Sequence, residues 1–237
     1  MIETAAILAG GLATRLKPIT EKIPKSLVEV AGRPFIEWQL KLLQAKGLRR
    51  VVLCLGHLGS QIEEVVGDGT QWGLEVEYSH DGPHQLGTAG ALLQARSRLG
   101  EQFWVLYGDS YLNFDYRAVS DYFELAAPDQ LGLMTVFANH NLWDTSNVVF
   151  EDGRLLKYDK WQRVPEMHYI DYGAALLRTE ALELLVTLIQ ERPSDLANLY
   201  SHLVEEQLML GYEVTERFYE IGSPAGLRET DLYFRDF

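Results

Sequence analysis

The amino-acid sequence predicts an α/β protein with a Rossmann-like, mainly parallel sheet and helices on both faces. Short β-rich runs alternate with helical patterns in the first part of the chain, an order that is typical of parallel sheets. The apolar runs 4–8, 51–55 and 103–107 have the composition of strands that are buried on both sides. With 237 residues, 47% of them hydrophobic, the chain can bury one large core, so we predict a single compact domain, 1–237.

Residues 1–130 are predicted to alternate strands and helices. The strands are 4–8, 50–55, 74–79 and 103–107, and the helices are 34–46, 60–66 and 88–98. In the first helix, Phe35, Trp38, Leu42 and Leu43 recur at helical spacing and form one apolar side. Parallel strands connected in this way present their carboxyl ends at one edge of the sheet, where α/β proteins bind ligands.

The pattern changes after residue 130. Strand-like runs follow at 131–138, 147–151, 154–158 and 168–177, and helical patterns follow near 179–190 and 195–209. The dipeptide Asp152-Gly153 between two of these runs indicates a hairpin. Ser223 and Pro224 are the residue types expected at the N-cap and first position of a last helix. We interpret 131–237 as the second half of the same domain.

Charge and composition exclude several classes of protein. A formal net charge of −13 argues against a protein that follows nucleic-acid phosphates, although Arg15, Lys17, Lys22 and Lys25 cluster in one segment and indicate a local anion site. Cys54 is the only cysteine and lies in an apolar run, so we expect a core residue and a reducing compartment. No secretion signal is recognisable, and no run approaches the about 18 apolar residues of a membrane span. We expect a cytoplasmic protein without membrane contact, either a monomer or a homodimer.

The first predicted strand leads directly into a glycine-rich loop. Gly10 and Gly11 allow the backbone to approach phosphate groups closely, and Arg15 and Lys25 can neutralise their charge. A tight turn with solvated basic residues is the simpler alternative, but a glycine pair, an arginine and Pro-Lys within one loop disfavour it. The spacing matches neither the P-loop nor Gly-x-Gly-x-x-Gly, so a phosphate site of another kind is indicated.

Asp109 follows the predicted strand 103–107 through Gly108, which places its carboxylate at the ligand edge of the sheet. Magnesium is usually held by one or two carboxylates together with phosphate oxygens and water, so the position predicts a magnesium ligand. A cap for the next element is the alternative. The sequence Asp109-Ser110-Tyr111 lacks the second aspartate of Asp-x-Asp, which argues against glycosyl transfer from an already activated sugar.

The segment from Leu8 to Pro34, LAGGLATRLKPITEKIPKSLVEVAGRP, resembles the opening motif of the sugar-1-phosphate nucleotidyltransferases. The resemblance continues through Leu86-Gly87-Thr88-Ala89-Gly90, Gly108-Asp109, Lys160, Ile170-Asp171-Tyr172-Gly173 and Glu220-Ile221-Gly222-Ser223-Pro224. It therefore covers nearly the whole chain, and it is most similar to short bacterial members that act as guanylyltransferases on heptose 1-phosphate.

The resemblance implies Mg²⁺-dependent transfer of a nucleotidyl group from a nucleoside triphosphate to a sugar 1-phosphate, with release of pyrophosphate. It implies a nucleotide-binding half, about 1–130, and a sugar-phosphate-binding half, about 131–237. Catalytic roles are implied for Arg15, Lys25 and Asp109, and metal binding for Asp109 and Glu220. Substrate contacts are implied for Leu8, Gly10, Gly11, Gly87, Thr88, Lys160, Asp171, Tyr172 and Gly173.

The sequence departs from the common family pattern at several positions. Ala13 stands where many members have glycine, and its side chain disfavours positive φ. Glu220 stands where members usually have aspartate, so it either reaches the metal or only holds the C-terminal helix. Asp171 and Tyr172 stand where many relatives have Asn-Ala; Asp171 suits sugar hydroxyls, and Tyr172 either stacks on the pocket or belongs to an ordinary strand with one bulge.

The base and the sugar stay open at this point. Guanine with a heptose or mannose-type phosphate is the prediction from overall similarity, and a uridylyl-, thymidylyl- or cytidylyltransferase is the alternative. A phosphocholine-like substrate would need an aromatic or acidic cage, for which Trp143, Trp161, Tyr158 and Tyr172 are the candidates. A catalytically silent relative that binds nucleotide sugars and regulates a partner is the remaining alternative, supported by Ala13 and Glu220.

Overall fold

The structure is a computed structural model that describes residues 1–189 and 193–235. The strands are β1 (Thr4–Leu8), β2 (Glu29–Val30), β3 (Arg33–Pro34), β4 (Arg50–Leu55), β5 (Glu75–His80), β6 (Gln102–Tyr107), β7 (Ser110–Tyr111), β8 (Gly132–Ala138), β9 (Val148–Glu151), β10 (Arg154–Tyr158), β11 (Tyr169–Arg178), β12 (Met209–Val214) and β13 (Tyr219–Glu220). The helices are α1 (Phe35–Ala45), α2 (Gly59–Val66), α3 (Gly87–Ala95), α4 (Tyr116–Glu124), α5 (Thr179–Leu188), α6 (Ala197–Glu205) and α7 (Pro224–Arg235).

The main sheet has the strand order β10-β9-β11-β6-β1-β4-β5, with β8 pairing β11 and β12. The strands β6, β1, β4 and β5 run parallel, and β12 is parallel to β8. This confirms the predicted Rossmann-like, mainly parallel fold. The long strand β11 is antiparallel to both β6 and β8, so it joins the sheet formed by the first part of the chain to the strands of the second part.

Helices cover both faces of the sheet because the side chains of each central strand alternate between two apolar cores. In β1, Ala5 and Ile7 face the core that includes residues of α1, α2 and α4, whereas Ala6 and Leu8 face the core that includes residues of α3, α5 and α6. All four of these β1 side chains are at most 8% exposed. Burial on both faces explains why the sequence of β1 is apolar throughout.

A third, smaller core holds the C-terminal helix against the segment after β1. Leu16, Val28, Phe35 and Ile221 pack together in it, and the Trp38 ring stacks on a ring of α7 with centroids 4.2 Å apart. Ser223 Oγ accepts a hydrogen bond from the Gly226 N–H at 3.0 Å, which confirms the predicted N-cap of α7. This core brings the two ends of the chain together beside β7.

Two parts of the predicted secondary structure need correction. The helix predicted over 195–209 ends at Glu205, because Gln207 adopts a left-handed conformation (φ 58°) and Met209 begins β12. Helix α4 was not predicted; Asp115 begins it by accepting the Ala118 N–H at 3.0 Å. The predicted helix 179–190 corresponds to α5, and position 190 lies outside the described residues.

No helix in residues 1–189 and 193–235 has the length and apolar character that crossing a bilayer requires.

Candidate active site

A cavity of about 360 Å³ opens at the carboxyl ends of β1, β4, β5 and β6. Its volume is in the range of sites that bind small molecules and cofactors. The predicted site residues that line it are Leu8, Gly10, Gly11, Lys25, Gly87, Thr88 and Asp109. Seven residues singled out from separate motifs therefore meet at one cavity, at the edge of the sheet where the motifs predicted it.

The loops after β1, β4 and β6 approach one another closely at the base of this cavity. The Ala9 N–H donates to the carbonyl of Cys54 at 2.9 Å, and the Gly108 N–H donates to the carbonyl of Leu8 at 3.0 Å. A side chain at Gly10 would place its Cβ 3.1 Å from the backbone nitrogen of Gly56, so close packing favours glycine here. Burial raises the pKa of the Cys54 thiol to about 12, which keeps it protonated and supports its interpretation as a core residue.

Gly11 differs from Gly10. Its backbone has no positive φ, and a Cβ built on it meets no described atom within 4 Å. Because Gly11 nonetheless lines the cavity, a side chain there would occupy the space of a ligand rather than that of the protein. Packing within the described protein therefore does not require glycine at this position.

Ala13 occupies the left-handed region, with φ 48° and ψ 46°. The Thr20 hydroxyl donates to its carbonyl oxygen at 2.8 Å and so holds the turn. An L-residue in this conformation costs about 1–2 kcal/mol, which explains why glycine is the common residue in the family pattern. The turn is formed with alanine, at that energetic cost.

Lys25 and Asp109 form an ion pair inside the cavity. Lys25 Nζ lies 2.5 Å from Asp109 Oδ2, and the two side chains are 17% and 29% exposed. The turn that carries Asp109 is held by Gln39 of α1, whose amide nitrogen donates to the carbonyls of Tyr107 and Ser110 at 2.9 and 2.8 Å. The site thus presents a cation and a carboxylate, and hydrogen bonds from α1 hold the turn of the carboxylate.

Arg15 does not line the cavity but lies near its rim. A Cβ built at Gly222 would be 3.4 Å from Arg15 Nη2 and 3.3 Å from Lys25 Nζ. Both cationic groups therefore converge on the backbone that precedes α7. The Glu220 carboxylate lies at the same place, so the two cations meet beside an acidic group of the protein itself.

Glu220 lies beside Asp109 in the backbone, because β13 pairs with β7 and the Ile221 N–H donates to the carbonyl of Asp109 at 2.9 Å. Its carboxylate, however, accepts from the Gly222 N–H and from the Ser223 hydroxyl. Both oxygens therefore hold the start of α7, which is the alternative role that the sequence left open.

The donor set fits a magnesium ion through Asp109. In the part of the chain that the structure describes, no three Asp, Glu, His or Cys side chains converge as a preformed metal site. One carboxylate is enough, since Mg²⁺ is commonly held by one or two carboxylates with substrate phosphates and water. Asp109 presents its carboxylate to a cation, Lys25, inside the cavity.

Asp81 is a cavity residue that the sequence analysis did not single out as functional. Its carboxylate accepts the Leu86 N–H at 3.2 Å. Asp81 follows β5 and Asp109 follows β6, and β1 and β4 lie between these two strands, so the two carboxylates line opposite sides of the cavity. Burial raises the pKa of this carboxyl above its usual value. Asp81 follows β5 at the carboxyl edge of the sheet, just as Asp109 follows β6. The same argument from the sequence could therefore have identified it.

Gly87 and Thr88, at the start of α3, are joined to a segment far away in the chain. The Ala89 N–H donates to the Ser194 carbonyl, and the Ser194 N–H donates to the Leu86 carbonyl, both at 3.0 Å. Gly87 has φ +74°, and a Cβ there would be 2.6 Å from the Ser194 nitrogen and closer still to its carbonyl oxygen. Residues 194–196 therefore form a wall behind the loop that lines the cavity.

Lys160, Asp171 and Gly173 lie in the second half of the molecule, outside the cavity lining that the described residues define. Lys160 forms an ion pair with Asp195. Burial raises the pKa of Asp171 to about 6, while Lys160 lowers it and Asp195 raises it. Asp171 accepts the Gly173 N–H at 3.0 Å across an irregularity in the pairing of β11. The three charged groups are thus close enough to influence one another.

Tyr172 is not brought to this site. Its side chain is in the core on the opposite face, 2% exposed, where its ring meets those of Phe114, Phe137 and Phe218. The physical reason is strand alternation, because neighbouring residues of β11 point to opposite faces of the sheet. The prediction of a substrate contact by Tyr172 is therefore not supported by its position, and the bulged-strand alternative describes it.

The four aromatic candidates for a cationic cage do not assemble. Trp143 stacks on the Arg217 guanidinium, 3.3 Å from the ring centroid, and Trp161 is 57% exposed. Tyr158 and Tyr172 are buried in two different cores. This geometry disfavours a quaternary ammonium substrate.

A glycine loop, a paired cation and carboxylate, and a position at the carboxyl edge of a parallel sheet are the features of α/β proteins that bind nucleotides or phosphates. Residues 4–145 match the family model described as Nucleotidyl transferase. The match includes more than half of the chain, so the protein belongs to the nucleotidyl transferase family, and the membership predicted from its motifs is confirmed.

Curated relatives carry names of sugar-1-phosphate nucleotidyltransferases. N-acetylmuramate alpha-1-phosphate uridylyltransferase of Neisseria meningitidis serogroup B is 41% identical over 115 residues, 48% of this chain and 50% of the relative. Mannose-1-phosphate guanylyltransferase catalytic subunit beta of Drosophila pseudoobscura pseudoobscura is 28% identical over 226 residues, 93% of this chain and 59% of the relative. The chain spans about half the length of these curated relatives.

Solved structures share the fold at low sequence identity. UDP-glucose pyrophosphorylase from Acinetobacter baumannii superposes with a TM-score of 0.81 at 21% identity, covering 99% of this chain and 93% of that one. HddC from Yersinia pseudotuberculosis superposes with a TM-score of 0.77 at 20% identity, covering 98% and 100%. These similarities establish the fold across both halves of the chain.

Proposed function

We propose that this protein transfers a nucleotidyl group from a nucleoside triphosphate to a sugar 1-phosphate, giving a nucleotide-activated sugar and pyrophosphate. The observation that carries the proposal is the cavity at the carboxyl edge of the sheet, where the glycine loop adjoins the Lys25–Asp109 pair. The names of the curated relatives support the same reaction class.

In this reaction an oxygen of the sugar phosphate attacks the α-phosphorus in line. The bond from the α-phosphorus to the bridging oxygen breaks, and the electron pair leaves with pyrophosphate. The nucleophile is already an anion, so no strong general base is needed, and catalysis consists of positioning and charge neutralisation. Lys25 and Arg15 would neutralise the triphosphate, and Lys160 would hold the incoming phosphate.

Asp109 would hold a magnesium ion that arrives with the nucleotide. When bound, Mg²⁺ supplies positive charge that stabilises the negative charge developing on the phosphates. Lys25 Nζ pairs with the Asp109 carboxylate, so Lys25 and the metal ion would both supply positive charge beside that carboxylate. Glu220 would support the site through α7, since its carboxylate is taken by the backbone and by Ser223.

Guanine is the base that we propose for the nucleotide. Asp81 uses one bond to Leu86, and an ionised carboxylate has acceptor capacity for more. The Watson–Crick edge of guanine offers two adjacent N–H donors to such an acceptor, whereas uracil and thymine offer one donor between two carbonyl oxygens. The relative that aligns over 93% of this chain is named a guanylyltransferase, which agrees with this choice.

A heptose or mannose-type 1-phosphate is the proposed acceptor. Asp171, as a half-buried acceptor, suits sugar hydroxyls, and Lys160 suits the phosphate of the same molecule. On this proposal residues 1–130 bind the nucleotide and residues 131–237 bind the sugar phosphate within one domain. A cytoplasmic location and a monomeric or homodimeric state stay predictions from the sequence.

The test is pyrophosphate release from a grid of nucleoside triphosphates and sugar 1-phosphates, with and without magnesium. Release with GTP and a heptose or mannose-type phosphate, lost without metal, is the expected result. Release with another pair would keep the reaction class and correct the substrates. If no pair releases pyrophosphate, the proposed transfer activity is refuted, and the alternative of a catalytically silent relative that binds nucleotide sugars is supported.

Two variants separate folding from function in the same assay. Gly11→Ala is expected to keep the stability of the wild type, because its Cβ meets no described atom, yet to raise the KM for the nucleotide. Lys25→Ala is expected to lose turnover by about 100-fold or more, the range for removal of one charge-stabilising donor. A modest loss for Lys25→Ala, or an unchanged nucleotide KM for Gly11→Ala, would contradict the assigned roles.

A further inference from the structure

Asp195 connects the two halves of the site through both of its carboxylate oxygens. Oδ2 pairs with the Lys160 ammonium, and Oδ1 accepts from the Ala197 N–H at 2.9 Å and lies 3.5 Å from the Thr88 hydroxyl. Thr88 in turn accepts the Leu196 N–H at 2.8 Å. Asp195 was not among the residues singled out from the sequence, and it joins a proposed sugar-phosphate ligand to a residue of the nucleotide cavity.

The backbone of Lys160 is fixed independently of Asp195. Arg163 donates to the Lys160 carbonyl through Nε at 3.2 Å and Nη2 at 2.9 Å. Asp159 Oδ1 accepts the N–H groups of Trp161 and Gln162 at 2.8 and 2.7 Å, which closes the turn around Lys160. The long, flexible lysine stem therefore has an anchored origin, and the place of its ammonium depends on what the charged end meets.

The other end of the connection is held by backbone hydrogen bonds. The wall at 194–196 is bound to the loop before α3 by the two backbone hydrogen bonds between Ser194 and that loop. Gly87 lines the cavity directly against this wall. Asp195 is therefore attached to the segment that borders the nucleotide cavity, and its pair with Lys160 links the Lys160 ammonium to that segment.

We propose that Asp195 is a positioning residue for the transfer reaction: it holds the Lys160 ammonium at the place where the sugar phosphate meets the nucleotide. The inference rests on the proposed function. A free lysine side chain samples many rotamers, and restricting it before the phosphate arrives removes an entropic cost from binding. A role as the helix cap of α6 alone is the competing explanation, since Asp195 also accepts the Ala197 N–H.

The test uses Asp195→Asn, because asparagine caps helices as well as aspartate does and keeps an oxygen for the Ala197 N–H. Only the charged pair with Lys160 is removed. We expect the KM for the sugar 1-phosphate to rise about tenfold, equivalent to about 1.4 kcal/mol. The KM for the nucleotide and the stability are expected to stay unchanged. Glu183→Gln is the matched control, since it removes an exposed ion pair with Arg96 outside the cavity lining.

A double variant tests whether Asp195 acts through Lys160. In a Lys160→Met background, Asp195→Asn is expected to have no further effect on the sugar-phosphate KM, whereas independent roles would add. Additive effects in the double variant would overturn the proposal. An unchanged sugar-phosphate KM in Asp195→Asn alone would also overturn it. So would a lowered KM, because it would mean that Asp195 competes with the phosphate for Lys160. If Asp195→Asn unfolds, Asp195→Ser, which also caps but cannot reach Lys160, replaces it.

The two levels of the proposal fail differently. An active wild type with an unresponsive Asp195→Asn overturns the positioning role and leaves the proposed function standing. A wild type without pyrophosphate release on any substrate pair overturns the proposed function and the positioning role together.

Discussion

The wall at 194–196 leaves no room for a side chain on Gly87. The loss of stability in Gly87→Ala therefore measures how strongly that wall is bound to the loop before α3. The added Cβ would lie 2.6 Å from the Ser194 nitrogen and 2.9 Å from its carbonyl carbon, and the backbone has φ +74°. Something must therefore shift, and these Ser194 atoms belong to the backbone and cannot rotate away.

The magnitude follows from two contributions. The left-handed conformation costs an L-residue about 1–2 kcal/mol. Moving the wall also breaks the two backbone bonds between Ser194 and the loop of Leu86 and Ala89, each contributing about 1 kcal/mol. The free energy of unfolding is therefore expected to fall by about 3–4 kcal/mol. Urea unfolding monitored by tryptophan fluorescence measures it.

Gly100→Ala is the matched control. Gly100 has φ +79°, but a Cβ there meets no described atom within 4 Å, so only the conformational cost applies. The unfolded-state effect of replacing glycine by alanine is the same in both variants and cancels. The difference between them, about 2 kcal/mol, then reports the lost wall contacts alone. Equal destabilisation of the two variants would refute the idea that the wall is bound to the cavity loop.

Three further predictions concern single side chains. Ala13→Gly is expected to raise the free energy of unfolding by about 0.5–1 kcal/mol, because relief of the left-handed strain exceeds the entropy that glycine adds to the unfolded chain; a destabilised variant in urea unfolding would count against it. Asp171→Asn is expected to be more stable than the wild type above pH 6, by up to about 3 kcal/mol, because burial raises the pKa of Asp171 from 3.8 to about 6. The native state then holds a proton that the unfolded state releases, so wild-type stability falls as pH rises from about 4 to 6. The difference in the free energy of unfolding between Asp171→Asn and the wild type should disappear by pH 4. A difference that does not depend on pH would contradict the raised pKa of Asp171. Asp81→Asn is expected to raise the KM for GTP about tenfold or more, since a charge-assisted acceptor contributes about 1.5–3 kcal/mol, and to improve UTP relative to GTP; an unchanged base preference would remove Asp81 from base selection.

Local sequence patterns predicted most of the sheet and the first half of the site. The run of β1 is apolar because both faces are covered, and the loop after it carries Gly10, Gly11 and Lys25 in one continuous motif. Asp109 was found for the same reason, since it directly follows a buried strand. When the residues of a site lie within one segment, they form a motif that can be recognised in the sequence before the fold is known.

The second half of the chain was harder to predict from the sequence, because several of its strands pair with strands that are distant in the sequence. Met209 was predicted as the end of the helix 195–209, but it begins β12, which pairs with β8 in parallel register. Tyr172 belongs to a motif that predicted a substrate contact, but the alternation of β11 turns its ring into the core. In both cases tertiary packing overrides the local signal.

The sequence by itself determined the fold class, the glycine loop with its cations, the carboxylate of Asp109 and membership of the nucleotidyl transferase family. Only the tertiary structure decided that Asp81 lines the cavity, that Glu220 holds α7, and that Asp195 joins Lys160 to Thr88. The physical reason is distance along the chain. Thr88 and Asp195 are 107 positions apart, and a contact of that kind leaves no periodicity or spacing in the sequence because it exists only once the sheet has formed between them.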